Sequence, residues 1–294
     1  MWIIIIYSVQ LIILSLAEQL YQKSTHFLLE LIQNVDDNSY NELQPTLNLT
    51  FQNRTLRVDC NEVGFSKKNV DAICRIGRST KTGLDHTSRY IGEKGIGFKS
   101  VFKISDVVWI HSGYYSFKFD KHKRLGMIAP IWAEFPKPTI PGFTSILLEI
   151  SDNYNTKELL HELMKLDSKL LIFLQKLRRV DVTIFEDSGV PWKRTLSRSD
   201  NNDERNGDEQ VVTLDNNGQQ VSYVTVRFSV KNMPTEPKRE GCTRSEIMLA
   251  FPIFEDIRVE FDSQQVYSFL PIRDYGFKVR HYLDWITSYI LTLR

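Results

Sequence analysis

Glu30-Leu-Ile-Gln-Asn34-Val-Asp-Asp37, Asp59-Cys-Asn61-Glu-Val-Gly64-Phe and Gly92-Glu-Lys-Gly95-Ile-Gly97-Phe-Lys-Ser100 are the three boxes on which the reading of this chain turns. In the first, apolar Phe27, Leu28, Leu31, Ile32 and Val35 recur at helical spacing, which predicts a helix over residues 25–35. Glu30, Asn34 and Asp37 then fall at i, i+4 and i+7, along one stripe. A carboxylate, an amide and a carboxylate facing one way offer the hard oxygens that suit a nucleotide-bound magnesium ion, and Glu30 could act on a water. A solvated helix face closed by an Asp-Asp-Asn cap is the alternative that this box alone leaves open.

The glycine box narrows the choice. Three glycines at spacings of three and two let backbone N–H groups approach an anion at the start of a helix, and phosphate is the natural guest. Val101, Phe102 and Ile104 continue as an apolar pattern, so a loop leading into a helix is predicted. The box is not a Walker loop, which needs glycine, lysine and a hydroxyl in immediate succession. Nor is it a dinucleotide fingerprint, since no βαβ unit with a ribose-binding acid follows.

In order and spacing the three boxes resemble the GHKL superfamily, whose Bergerat-fold ATPase domain is shared by gyrase B, the ninety-kilodalton heat-shock chaperones, MutL and the histidine kinases. The likeness runs over residues 27–150, and its wording is closest to the sacsin and NO VEIN branch. Glu30-Leu-Ile-Gln-Asn34-x-Asp-Asp-Asn38, Asn61-Glu-x-Gly-Phe65, Ile76-Gly-Arg-Ser-Thr-Lys81 and Ile91-Gly-Glu-Lys-Gly-Ile-Gly-Phe-Lys-Ser-Val-Phe102 carry it. The resemblance implies an α/β fold, a Bergerat two-layer sandwich of a mixed sheet with helices on one face. It implies ATP and Mg2+ as ligands, with Glu30 as general base, Asn34 as the magnesium-binding amide and Asp37 as the acid one turn on. Gly92, Gly95, Ile96, Gly97 and Phe98 match the backbone donors to the phosphates. Thr144, opening the alternating strand over residues 144–150, matches the threonine that holds adenine through water. Lys94, inside the loop, is the better candidate for added charge at the phosphates; Lys99 is equally readable as a solvated helix lysine.

The second box departs from the family's Asp-x-Gly-x-Gly, in which the aspartate accepts the adenine amino group. Aligning Gly64 on the last glycine puts Cys60 in the aspartate's place, so Asp59 or Asn61 must substitute. An asparagine accepts through its amide oxygen but lacks the charge that strengthens such a bond. Between the second and third boxes, residues 76–91 combine glycines and hydroxyls with Arg78, Lys81 and Arg89, as suits a mobile flap over phosphates. An ordinary polar surface loop is the alternative.

With 42% hydrophobic and 25% charged residues, the chain has material for one large core or two smaller ones. A net charge of +1 gives no bulk attraction to nucleic acid or anionic membrane. Three cysteines, Cys60, Cys74 and Cys242, form neither a disulfide framework nor a zinc spacing, which points to a reducing, intracellular setting, cytoplasmic or nuclear. Residues 2–16 are strongly apolar, yet shorter than the about 20 residues a spanning helix needs, and no basic region precedes them. A helix packed on the domain is the favoured reading there, with targeting or anchoring as the alternative.

Further strands are predicted near residues 56–58, 107–110, 115–119, 144–150 and 180–185, with a helix over 156–177. Residues 1–190 then make the nucleotide domain, with its core at 25–150. Residues 191–220 make a polar linker, disordered or a long hairpin, because 197–210 hold scarcely an apolar residue. Residues 221–294 make a strand-rich segment whose apolar stretch at 282–293 ends abruptly, as in a truncated member of a longer architecture. Two functions stay open. One is an ATPase whose slow hydrolysis drives a lid or dimerisation change, in a chaperone-like or regulatory role toward a protein client. The other is a module that binds ATP or ADP as a switch without turnover. A histidine kinase is disfavoured, since His26 lies too near the first box to be a phosphoacceptor.

Overall fold

The computed structural model describes residues 26–41, 44–74, 97–186, 189–206, 209–231, 244–253, 263–268 and 270–278. The N-terminal apolar stretch, the flap, the first two glycines of the third box with Lys94 and Ile96, and the apolar stretch at 282–293 lie outside these residues. The chain divides into two compact units. The first holds Met1–Asp167 and Leu174–Leu196, the second Ser168–Phe173 and Ser197–Arg294.

In the first unit, helix α1 (His26–Asp36) precedes strands β1 (Thr46–Gln52) and β2 (Thr55–Cys60), helix α2 (Lys67–Ile73) and a 3-10 helix (Gly97–Lys103). Strands β3 (Ser105–Ser112), β4 (Tyr115–Asp120), β5 (Ile131–Trp132) and β6 (Thr144–Ile150) follow, then helix α3 (Thr156–Lys165) and strand β7 (Arg179–Ile184). The strand order is β7-β1-β2-β6-β3-β4-β5. The β1–β7 pair is parallel and the other described pairs are antiparallel, so the sheet is mixed.

Alternation makes this sheet two-sided. Register places Leu49, Val58, Ile146 and Ile110 on one face, and Arg57, Asp59, Ser145 and His111 on the other. On the apolar face Leu47, Leu49, Leu56, Val108, Ile110, Phe117, Phe119, Leu148, Val180 and Val182 are fully buried. Each large apolar side chain so buried contributes about 1.5–3 kcal/mol. Helix α1 buries Phe27, Leu28, Leu31, Ile32 and Val35, the stripe its sequence marks out. It packs against the 3-10 helix, and α3 packs against β7. Asn53 and Arg54, both with positive φ, make the two-residue turn joining β1 to β2.

The helix predicted over residues 156–177 is two. Helix α3 stops at Lys165, Leu166 turns to ψ 127°, and helix α4 (Leu170–Phe173) begins a new turn after Ser168, whose carbonyl accepts from Leu171 N–H. Apolar periodicity runs through Leu166 and Leu170 and hides the break.

In the second unit the polar run at 197–206 is strand rather than a disordered stretch. It is part of β8 (Trp192–Asn206), followed by β9 (Glu209–Asn216), β10 (Gln219–Lys231), β11 (Arg244–Ile253), β12 (Ser263–Ser268) and β13 (Leu270–Lys278). Buried Arg198 anchors it, donating to the carbonyls of Leu171 and Ile172 and pairing with Asp200 at 2.6 Å. Asn217 and Gly218, both at positive φ, make the β9–β10 hairpin turn. Among the described residues no helix is long and apolar enough to cross a membrane.

Candidate functional site

The helical spacing of the first box holds: α1 carries Glu30 and Asn34 one turn apart, both half-buried, and ends at Asp36. Asp37, also buried, sits in the turn beyond, its N–H still donating to Gln33 O at 3.0 Å. The Nδ2 of Asn34 is buried and finds no hydrogen-bond partner among the described residues. Buried amide groups rarely go unbonded, and an amide NH2 in this position calls for an acceptor.

The third box meets this stripe directly. A Cβ added at Gly97 would stand 2.3 Å from Glu30 Oε2 and 3.3 Å from Glu30 Cδ. Only a residue without a side chain lets the carboxylate lie there. Ser100 Oγ donates to Gly97 O at 2.6 Å and fixes the first turn of the 3-10 helix, next to half-buried Phe98.

Lys99 goes elsewhere. It is buried, donates from Nζ to Met127 O, and lies 4.4 Å from the Phe119 ring centre and 5.9 Å from those of Phe98 and Phe102. Burial pulls its ammonium down from 10.5 to about 8. It is therefore not the solvated helix lysine that the sequence allowed. A cation at a polar-looking position is drawn into an aromatic cage that no local pattern announces.

The second box is stitched to the sheet by a residue that sequence reasoning missed. Ser112 Oγ accepts from Phe65 N–H at 2.7 Å and bonds Thr144 Oγ1 at 2.5 Å. Between them Gly64 takes φ +91°, a conformation that favours glycine. The available signal was parity: Ser112 is a polar residue on the inward, apolar side of β3.

Neither residue named as a stand-in for the adenine-binding aspartate presents a spare acceptor on that side. Asp59 pairs with Ser145 on the polar face, takes Arg57 Nε at 2.8 and 2.9 Å on its two oxygens, and accepts Ser145 Oγ at 2.5 Å. Asn61 accepts Thr46 N–H at 2.7 Å and donates to Gln44 O at 3.1 Å, closing the edge of β1. Cys60 is the strand residue that pairs with Thr144 and shares its face.

Its thiol lies 3.2 Å from the hydroxyl of Tyr40, which gives its own proton to Val35 O at 2.6 Å, so the thiol is the donor to Tyr40. Burial pushes Cys60 up to about 12, and burial with the neighbouring thiol holds Tyr40 far above its ordinary range. Both stay neutral at neutral pH. This contact ties the end of α1 to the end of β2, so all three boxes converge on α1.

Asp36, not singled out by its place in the box, anchors that helix. Its carboxylate accepts the N–H groups of Gln175, Lys176 and Leu177, each at 2.8 Å, while Lys176 Nζ donates to the carbonyls of Asp37 and Asn38.

No family model matches the chain. The chain is similar to Protein NO VEIN of Arabidopsis thaliana, with 32% identity over 291 residues that take in 90% of this chain and 10% of that protein, so that it spans about a tenth of that relative's length.

Proposed function

We propose that this chain is a nucleotide-binding domain of the Bergerat type that binds ATP with magnesium and hydrolyses it slowly through Glu30. The observation that carries the reading is the seat of the Glu30 carboxylate on Gly97. It joins the proposed base to the proposed phosphate loop, two motifs far apart in sequence. The half-buried Asn34 side chain is the second support, since it lies one turn from Glu30 on the same stripe. Similarity to Protein NO VEIN over most of the chain agrees with the branch that the motifs resemble.

The donor set fits a magnesium ion that arrives on the nucleotide: one amide oxygen and neighbouring carboxylates complement phosphate oxygens and water. When bound, the ion would neutralise phosphate charge and polarise the terminal phosphate. Asn34 would hold it through Oδ1. Glu30 takes the proton of the attacking water, held in place because Gly97 leaves room for its carboxylate. Thr144, fixed by Ser112, and the neutral Cys60–Tyr40 pair would lie on the adenine side. Nucleotide-dependent dimerisation and action on a protein client belong to this reading as its wider role.

The alternative, a nucleotide-binding switch without turnover, is favoured by the second box, where Asp59 and Asn61 are both engaged within the chain. Calorimetry of ATP binding with and without magnesium, with phosphate release measured on the same protein, separates the two. Magnesium-dependent binding that Asn34→Ala abolishes, with release that Glu30→Ala abolishes, is expected. Binding without release makes the chain a switch, and no binding removes the reading.

A further inference from the structure

In the second unit, strands β9, β10 and β11 carry apolar residues on both faces. Register and alternation put Val212, Leu214, Tyr223 and Thr225 on one face, and these are buried. The other face sets Val224, Val226 and Phe228 of β10 opposite Phe251, Leu249 and Ile247 of β11, with Ile253 at its end. There Phe228 is 52% exposed, Ile247 51%, Leu249 43% and Ile253 40%. The hydroxyls of Thr213 and Ser222, 3.0 Å apart, border this face beside Ile253.

An antiparallel sheet with one solvated face alternates apolar with polar residues. The pairs Phe228–Ile247 and Val226–Leu249 break that rule, since both partners of each are apolar on the side away from the buried face. Contiguous apolar surface of this kind marks a place where something else binds. Between Ser222 and Phe228 neither β10 nor β11 puts a charge on it, so the matching occupant is apolar and uncharged along its contact side.

The sequence of the same unit holds a segment of that character at residues 282–293. Tyr282, Leu283, Ile286, Tyr289, Ile290 and Leu293 recur at i, i+1, i+4, i+7, i+8 and i+11, the spacing of one helix face. Asp284, the only charge in the segment, falls away from that stripe, as do Thr287, Ser288 and Thr292. Adjacent apolar pairs at 282–283 and 289–290 do not suit the alternation of a strand. Length agrees as well. As a helix these residues run about 18 Å, and the rows from Ile253 to Ile247 run about 20 Å.

We propose that residues 282–293 form an amphipathic helix that docks its apolar stripe on the exposed face of β10 and β11. The stripe covers Phe228, Ile247, Leu249 and Ile253, while Asp284 and the hydroxyl side chains face water. The contact lies within the second unit and is independent of nucleotide binding.

Photocrosslinking on the full chain tests this. Tyr289→p-benzoylphenylalanine extends an aromatic side chain already present and, on irradiation, is expected to link residue 289 to peptides holding residues 222–228 or 247–253 of the same chain. The same group at Ser288, on the polar side, should give no such links, and Leu249→Asp should abolish those from position 289. Links from 289 to other peptides of the chain, or none at all, overturn the docking. Links between two chains, seen as a covalent dimer, give the face to a second copy and overturn it too. Equal links from 288 and 289 overturn the amphipathic helix. Should Leu249→Asp fail to fold, the comparison of positions 288 and 289 decides alone.

Discussion

Glu30 rests its carboxylate against the bare Cα of Gly97, where a methyl group would stand 2.3 Å from Oε2. The consequence is specific. Gly97→Ala leaves the backbone unstrained, since Gly97 is not among the positive-φ glycines, but forces the far end of Glu30 to move. Turnover is expected to fall about 10²-fold, the scale of a displaced general base, with ATP affinity changed only a few-fold. In the Glu30→Ala background Gly97→Ala should cost little more, because the carboxylate it displaces is already gone. Steady-state phosphate release on the two single variants and the double variant checks this, and full activity in Gly97→Ala would show that the contact does not place the base.

Asp59 and Cys60 are neighbours with opposite fates, because successive strand residues point to opposite faces. Asp59→Ala should leave ATP affinity within about twofold while costing about 1.5–3 kcal/mol of stability, the value of a hydrogen bond to a charged group. Cys60→Asp, on the Thr144 face, should tighten ATP binding relative to GTP by supplying an acceptor for the adenine amino group. Parallel titrations with the two nucleotides, alongside urea unfolding, separate the effects. Loss of ATP binding in Asp59→Ala would return the adenine contact to Asp59.

Lys99 gives the chain a pH signature. The unfolded lysine holds its proton up to about 10.5 and the folded one releases it near 8, so between these values the unfolded state binds more protons and stability rises with pH. The gap corresponds to roughly 3 kcal/mol. Cys60 and Tyr40 act in the opposite sense: their folded forms keep protons that the unfolded chain gives up above 9 and 10, so stability falls there. The comparison that isolates Lys99 is with Lys99→Met. Urea unfolding from pH 7 to 10.5 should show the unaltered chain gaining on the variant above pH 8, with a constant difference below it.

How much of this was legible in sequence depends on whether a signal was local. Helix α1 and strands β4 and β6 follow from their own periodicity, as do Glu30 and Asn34 on one stripe. Strand β1 is not among the predicted strands although Leu47, Leu49 and Phe51 alternate with polar Asn48 and Thr50. The break at Leu166 is masked by apolar residues on both sides. Lys99 and Asp36 could not be placed because their partners, Met127 with the aromatic rings and the amides of 175–177, are distant in the chain. Adjacent Asp36 and Asp37 look equivalent in sequence, and only tertiary contacts tell the anchor from the turn residue.

Ser112 offers the last test, since it links strand β3 to both the second box and Thr144. Ser112→Ala removes the acceptor for Phe65 N–H and the partner of the Thr144 hydroxyl, while keeping the strand. A lost partner at a buried polar group costs about 1–3 kcal/mol, which denaturant unfolding should register. The effect on binding separates the two ends of the site. On the proposed reading Thr144 and Gly64 belong to the adenine end, so ATP affinity should weaken, whereas Asn34 and Gly97 are untouched and the dependence on magnesium should persist unchanged. Calorimetry at several magnesium concentrations reads both quantities, and an altered magnesium dependence with intact affinity would reverse the assignment of Ser112 to the base end.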